Sequence, residues 1–312
     1  MPELPEVETI ARQLRDLVVG RTVAGFRSEW YRVTEPEPAE LFAARLRGRR
    51  IVGVRRRGKF VVFDLDDGRS RTPSIARAEG TAGAREGPGD ALIVSLRMTG
   101  QLLFDPGGGR AAHPYRRARI AFADGTALEF ADTRKFGRMA LVEAAELDRA
   151  NGRRRRVGEP LHRYLGVEPL SRRFTPPWLR AFLRARGRSA IKPLLLDQTG
   201  IAGIGNIYAI EALWRARINP LRKAGSLRPD EVERLHEALR WVLRKGIRLG
   251  GASRRDYRDA RGAEGRMQRE FQAYDRAGEP CPSCGSEIRR TVVGGRGTFH
   301  CPRCQPAPRR LS

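Results

Sequence analysis

The sequence predicts an α+β protein in three consecutive parts: a β-rich first half entered through one amphipathic helix, a helical second half, and a short cysteine-bearing segment at the end. Three observations carry this. Val7, Ile10, Ala11, Leu14 and Leu17 form one stripe at helical spacing, short β-type runs fill the chain from about 22 to 142, and all four cysteines lie between 281 and 304.

The first helix is expected over 5–17. Pro5 suits a first turn, Glu6 and Glu8 suit the positive end of the helix dipole, and Gly20 can stop the helix. Such a helix would hold the N-terminus against a packed body, where chain ends are usually loose. Phe60-Val61-Val62-Phe63, Leu92-Ile93-Val94 and Ile120-Ala121-Phe122 then read as strands, with Asp124-Gly125 as a hairpin turn. Several such strands suggest a sandwich or a barrel. Residues 69–90 are rich in Gly, Ala, Arg and Pro, offer little to bury, and read as a mobile surface loop. The basic run Arg153 to Arg156 opens a linker that reaches about Pro177. Helices are expected across 178–249. The clearest is Glu231 to Arg248, with Val232, Leu235, Leu239, Val242, Leu243 and Ile247 on one stripe.

The 312 residues allow more than one domain, and 40% hydrophobic residues suit a soluble globular chain. The formal net charge is +25, and only five of the 61 basic residues are lysine. So basic a body attracts polyanions, and nucleic acid leads because each neutralised phosphate releases a counterion. Arginines scattered over solvated faces, or an anionic membrane surface, would give the same composition. The start MPELPEVET lacks the basic and apolar regions of a signal peptide, and no apolar run approaches the roughly 18 residues of a membrane span. With no cysteine outside 281–304 to form a disulfide elsewhere, the chain reads as cytoplasmic.

Three constellations can carry chemistry. Cys281-x-x-Cys284 and Cys301-x-x-Cys304, sixteen residues apart, suit a closed tetrahedral site for one structural zinc; a pair of redox dithiols is the alternative. His300 could be a spare ligand or a surface histidine. Between the pairs, Arg289, Arg290, Gly294, Gly295, Arg296 and Gly297 form a basic hairpin that could lie along a phosphate backbone. Second, Gly203, Gly205 and Asn206 precede a helix, where backbone N–H groups can bind an anion or simply make a tight turn. Third, Pro2 follows Met1. Removal of Met1 would leave a secondary amine, part of it unprotonated near neutrality and able to form an iminium with a sugar carbon. Glu3 beside it could move protons. On its own terms the segment could equally be a helix cap.

Pro2-Glu3-Leu4-Pro5-Glu6-Val7-Glu8-Thr9 resembles the start of bacterial formamidopyrimidine-DNA glycosylases. The resemblance continues through Arg57-Gly58-Lys59-Phe60, Leu96-Arg97-Met98-Thr99-Gly100, Asp132-Thr133-Arg134-Lys135-Phe136-Gly137, Gly203-Ile204-Gly205-Asn206-Ile207-Tyr208-Ala209 and the Cys₄ hairpin, so it covers nearly the whole chain in order. It implies an N-terminal β-sandwich flanked by helices, a helix–two-turn–helix domain and a zinc-finger β-hairpin. The implied divisions are a catalytic domain at 1–150, a linker at 151–177, a DNA-binding domain at 178–262, and a lesion-capping loop with the zinc finger at 263–306.

The implied activity is excision of oxidised purines, 8-oxoguanine and formamidopyrimidines, from double-stranded DNA, followed by lyase cleavage, by a monomer. Pro2 would be the nucleophile at C1′ and Glu3 the general acid. Lys59 would contact phosphate and serve β-elimination, and Arg296 would hold a phosphate for δ-elimination. Asn206 and Lys192 would bind the backbone. An extruded base leaves a gap. Met98 would occupy it, Phe136 would wedge into the stack, and Arg134 would read the orphaned base.

The chain also departs from the family pattern. Ser95 stands where a histidine is common, and Tyr115-Arg116-Arg117 replaces a histidine-bearing stretch, so Tyr115 takes the place of a DNA contact. Gly265-Arg266-Met267-Gln268 replaces the Gly-Tyr-Phe of the capping loop, which bears on the range of bases recognised. An endonuclease VIII-type enzyme for oxidised pyrimidines, and a DNA-binding paralogue without catalysis, are the competing expectations.

Overall fold

The first helix, α1 (Leu4–Val18), is one residue longer at each end than its apolar stripe predicts. Val7, Ile10, Ala11, Leu14 and Val18 are buried in the core of the N-terminal half. Leu4 is also fully buried, but in the core of the C-terminal half. The helix is therefore seated in both. The computed structural model describes residues 1–66, 90–107, 112–148, 160–254 and 256–307. The predicted basic linker run at 153–156 lies outside these residues, as does the predicted 69–90 loop apart from Asp90, which begins a strand.

Two antiparallel four-stranded sheets follow. One has the order β1 (Val23–Ser28), β6 (Arg116–Phe122), β7 (Ala127–Asp132), β5 (Gly100–Asp105); the other runs β2 (Ile51–Arg57), β3 (Phe60–Leu65), β4 (Asp90–Ser95), β8 (Arg138–Glu143). This settles the sandwich-or-barrel choice in favour of two packed sheets. Their alternating inward residues, among them Val61, Phe63, Leu92, Val94, Ile120, Leu128 and Phe130, share one core with α1. The Asp124-Gly125 turn joins β6 to β7 as expected. A second helix, α2 (Ala39–Leu46), has no counterpart in the strand reading of this region; it buries Phe42 and Leu46, with Phe42 against Phe26 at 4.7 Å.

After α3 (Ala144–Asp148) the second half is helical: α4 (Pro176–Ala185), α5 (Ile191–Leu196), α6 (Asn206–Arg215) and α7 (Pro229–Arg248). Thr175 caps α4 by accepting the Trp178 N–H. The predicted stripe of α7 is buried against α4 and α6. The hairpin β9 (Arg289–Val293) and β10 (Arg296–His300) closes the chain. Among the described residues no helix is long and apolar enough to cross a membrane.

The interior of α1 sets the orientation of its N-terminus. Replacing Leu14, which is fully buried, by alanine should cost about 2–5 kcal/mol. Urea unfolding should show this as a lower midpoint at unchanged slope. A loss below about 1 kcal/mol would mean that α1 is not packed as described.

Candidate active site

Pro2 is buried at the head of α1, on the divide between two cavities that both touch Met1 and Pro2. The first, ≈ 370 Å³, is lined by Met98, Arg134, Arg254, Tyr257 and Tyr274 among others. The second, ≈ 200 Å³, is lined by Lys59, Ser95, Gln198, Asn206 and Arg296 among others. A secondary amine there would stand between a roomy pocket and a cationic cradle. A substrate carbon with a flat group on one side and a phosphate on the other would suit that placement.

Glu3 is fixed by the second half of the molecule. Its carboxylate accepts the backbone N–H of Ile207 at 3.0 Å and of Tyr208 at 3.4 Å, in the first turn of α6. The glycine turn that reads as an anion site is therefore occupied by the chain's own Glu3. Gly205 must be glycine for this reason: a Cβ there would lie 2.2 Å from the Glu3 carboxyl carbon. The Leu4 N–H adds a bond to the Gly203 carbonyl at 3.0 Å. Gln198 holds the same turn, donating to the Ile204 carbonyl and accepting the Gly203 N–H, both at 2.8 Å.

Glu6 lies one turn deeper and accepts from Tyr208 Oη at 2.7 Å, the Ala252 N–H at 2.8 Å and the Glu3 N–H at 2.8 Å. Burial, reinforced by the neighbouring Glu3 charge, pushes its carboxyl above the ordinary range despite these bonds. Through Ala252 it ties α1 to the segment that walls the first cavity.

The cationic side is under electrostatic strain. Burial holds the Lys59 ammonium below its ordinary pKa; the Arg296 charge adds to this, and Glu3 and Glu6 oppose it. Lys192, on α5, has no exposed surface, and its Nζ has no hydrogen-bond partner. Burial, then the Arg296 charge, lowers it to about 8. Asn206 donates to the Gly297 carbonyl at 3.0 Å, pinning the hairpin to α6, while its own Oδ1 is buried and unpartnered. Of these two unpartnered atoms only Lys192 Nζ is a donor that an anion would satisfy; Asn206 Oδ1 is an acceptor.

Met98, Arg134 and Phe136 meet at the rim of the first cavity. Arg134 Nη1 lies 3.1 Å from Met98 Sδ, and its guanidinium sits 5.0 Å over the Phe136 ring. Met98 is 42% and Phe136 48% exposed, so neither is core. Tyr115 lines neither cavity; its carbonyl accepts the Asp132 N–H at 2.9 Å, at the base of the loop that carries Arg134. Gly265-Arg266-Met267-Gln268 does not reach the first cavity either. Met267 is buried in the second core, and the wall is built from Ala252, Arg254, Asp256 and Tyr257. Arg254, Tyr257 and Tyr274 carry no sequence signal that marks them, since they are single polar residues in an irregular segment.

The four thiols stand apart from this site. Their sulfurs lie within 4.8 Å of one another, with Cys284 and Cys301 at 3.4 Å and Cys281 and Cys304 at 4.0 Å. Tetrahedral zinc with bonds of about 2.3 Å needs sulfurs roughly 3.8 Å apart, so the set fits. His300 stands outside it. Trp214 Nε1 lies 3.5 Å from Cys281 Sγ and can orient that ligand. A larger cavity, ≈ 480 Å³, lies between α6, α7 and these knuckles. It is lined by Trp214, Trp241 and several arginines, and shares no lining residue with the two cavities at Pro2.

The N-terminal domain of formamidopyrimidine-DNA glycosylase matches residues 1–139, its H2TH domain matches 165–258, and the zinc finger found in FPG and IleRS matches 278–307. The formamidopyrimidine-DNA glycosylase of Chloroflexus aurantiacus is 43% identical over 98% of each chain. The Fpg of Lactococcus lactis, solved in complex with abasic-site DNA, superposes with a TM-score of 0.80 at 33% identity, covering 98% of this chain and 100% of that one. MutM of Thermus thermophilus superposes with a TM-score of 0.78 at 38% identity, with the same coverage. One structural zinc on the four cysteines accords with the matched zinc finger.

Replacing Gly205 by alanine should displace the Glu3 carboxylate while leaving both cores intact. We expect single-turnover turnover of a damaged duplex to fall by about a hundredfold, with a melting temperature within a few degrees of the parent. Full activity in this variant would show that Glu3 need not sit where it does.

Proposed function

The chain belongs to the formamidopyrimidine-DNA glycosylase family, and from that premise we propose that it excises 8-oxoguanine and formamidopyrimidines from duplex DNA and then cleaves the abasic strand as a lyase. The observation that carries this reading is Pro2 set between a roomy pocket and a cationic cradle. C1′ of a nucleotide lies between base and phosphate, so one pose places the base in the first cavity and the phosphate in the second. The duplex hides C1′, so the nucleotide must leave the stack. Met98, Arg134 and Phe136 would fill the gap, and their exposure supports this.

In the proposed chemistry, removal of Met1 frees the Pro2 amine. Its lone pair attacks C1′, the Glu3 carboxylate takes the proton that the Pro2 nitrogen sheds, and the electrons of the C1′–base bond depart with the base, which takes a proton from water. Glu3 gives a proton to the ring oxygen as the C1′–O4′ bond breaks, which leaves an iminium between Pro2 and the opened sugar. The iminium acidifies C2′. Loss of a C2′ proton expels the 3′ phosphate, and a second elimination expels the 5′ phosphate. Lys59 serves the first elimination and Arg296 the second, each with a cation against a phosphate. Asn206 and Lys192 hold the backbone. Tyr115, beside the base of the Arg134 loop, contacts the duplex. This reading divides the chain at 1–150, 151–177, 178–262 and 263–306, and takes the acting species to be a cytoplasmic monomer.

Borohydride should trap a covalent adduct with duplexes carrying 8-oxoguanine, and Pro2→Gly should lose base excision. No adduct with 8-oxoguanine, thymine glycol or abasic duplexes would end the covalent reading. An adduct with thymine glycol alone would transfer it to oxidised pyrimidines.

Lys192 makes a separate prediction about pH. A lysine donates its charge to a phosphate below its pKa and loses it above. Affinity for an abasic duplex should therefore fall as pH rises through about 8, by at most about tenfold per pH unit. In Lys192→Met the fall should be shallower. Identical slopes in the two proteins would remove Lys192 from the phosphate site.

A further inference from the structure

Gly58, immediately before Lys59, is held at both its N–H and its carbonyl. The Gly58 N–H donates to Glu168 Oε1 at 2.6 Å, and the Gly58 carbonyl accepts from Arg56 Nη1 at 3.0 Å. The Glu168 carboxylate also pairs with Arg57 Nη1 at 3.0 Å and Arg56 Nη1 at 2.7 Å. Arg56 Nε in turn meets Glu8 on α1 at 2.9 Å. Arg57 also binds the Leu147 and Leu165 carbonyls at 3.2 and 2.9 Å. Gly58 is in the left-handed region, with φ of 59°, and a Cβ there would lie 3.2 Å from two Leu165 carbons. The tip of the β2–β3 hairpin is thus fixed by a residue that lies beyond the first domain in sequence.

We propose that Glu168 is the positioning residue that sets Lys59 against Pro2. Its carboxylate gathers the hairpin tip, two arginines and, through Arg56, the helix that carries Pro2 into one rigid unit. Simple ion pairing between domains would not require the Gly58 N–H. That contact fixes the Arg57–Gly58 peptide, and Arg56, held by the same carboxylate, fixes the Gly58–Lys59 peptide through the Gly58 carbonyl; a displacement of about 1 Å at a group so placed can cost a hundredfold in rate. Arg56 and Arg57 side chains are 8% and 10% exposed and Glu168 19%, so water screens the network weakly. The inference rests on the reading of Lys59 as a participant in strand cleavage.

The test is a double-mutant cycle on the full-length, zinc-loaded protein, read as single-turnover nicking of an abasic-site duplex. Glu168→Gln should slow nicking about tenfold, with duplex affinity and melting temperature near those of the parent. Glu168→Asp should recover part of the rate. Lys59→Ala should slow nicking further, and combining it with Glu168→Gln should cost no more than about threefold beyond Lys59→Ala alone. Losses that multiply in full would overturn the inference and leave Lys59 in its role. A normal rate in Lys59→Ala would instead overturn the reading of Lys59, and with it the route by which Glu168 could act. If Glu168→Ala fails to fold, the Gln and Asp variants still complete the cycle.

Discussion

The seat of Glu3 on the first turn of α6 is the constraint on which the site depends. One carboxylate at the head of a helix in the first half closes the open N–H groups at the head of a helix in the second. Leu4, the next residue, is buried in the second core, and Val7 to Val18 are buried in the first. The two halves therefore meet at the residue beside the proposed nucleophile. A rigid-body shift between them would have to break a charge-assisted pair of bonds and expose a leucine, so Pro2 is held in register with Asn206 and Arg296. Gly205 is the sequence cost of that fit, since any side chain would enter the space of the Glu3 carboxylate.

Around this seat the molecule keeps positive charge in poor solvation. Lys192 has no exposed surface and no partner for its Nζ, and burial also lowers Lys59. A buried, unsatisfied ammonium costs stability. The neighbouring Glu3 charge offsets part of it for both lysines. A phosphate would offset more, because it satisfies the donors and restores the charged form. The same groups that weaken the free protein would then bind the ligand. An anion would relieve both lysines, and the hairpin that Asn206 Nδ2 pins brings Arg296 to the edge of that space.

Much of this was legible in the residues, and the limits have physical causes. The α1 stripe, the α7 stripe and the β6–β7 turn are periodic or local signals, and each element formed within a residue or two of its expected bounds. The cysteine spacing is a geometric statement about one metal, so the gathered thiols follow from it. Glu168, Tyr257 and Tyr274 were not legible, because their importance lies in contacts between distant segments that no periodicity reports. The short helix α2 carries its own signal, since Ala39–Leu46 is rich in helix formers with Phe42 and Leu46 four residues apart, but eight residues inside a strand-rich stretch are too few for that period to stand out. The glycine turn was half legible: its shape was readable, but the helix N–H groups behind it are taken by Glu3, while Asn206 turns its side chain to the Gly297 carbonyl beside the cationic cavity.

The rim loop shows why exposure and order coexist there. Asp132, almost fully buried, accepts the N–H groups of Phe136 at 2.8 Å, Gly137 at 2.7 Å and Arg134 at 3.2 Å, and also the Thr99 hydroxyl. One carboxylate thus fixes the loop from beneath and leaves the side chains above free of the core. Leaving a phenylalanine and a methionine about half exposed forgoes about 1 kcal/mol apiece relative to full burial. A flexible loop could fold them away. This loop cannot, because its backbone donors are already committed to Asp132. The apolar surface is held out in a defined shape, with Arg134 stacked between the two side chains, and a partner that offers an apolar gap recovers that free energy without first having to order the loop. The interior of a base stack, opened by one departing nucleotide, is such a gap.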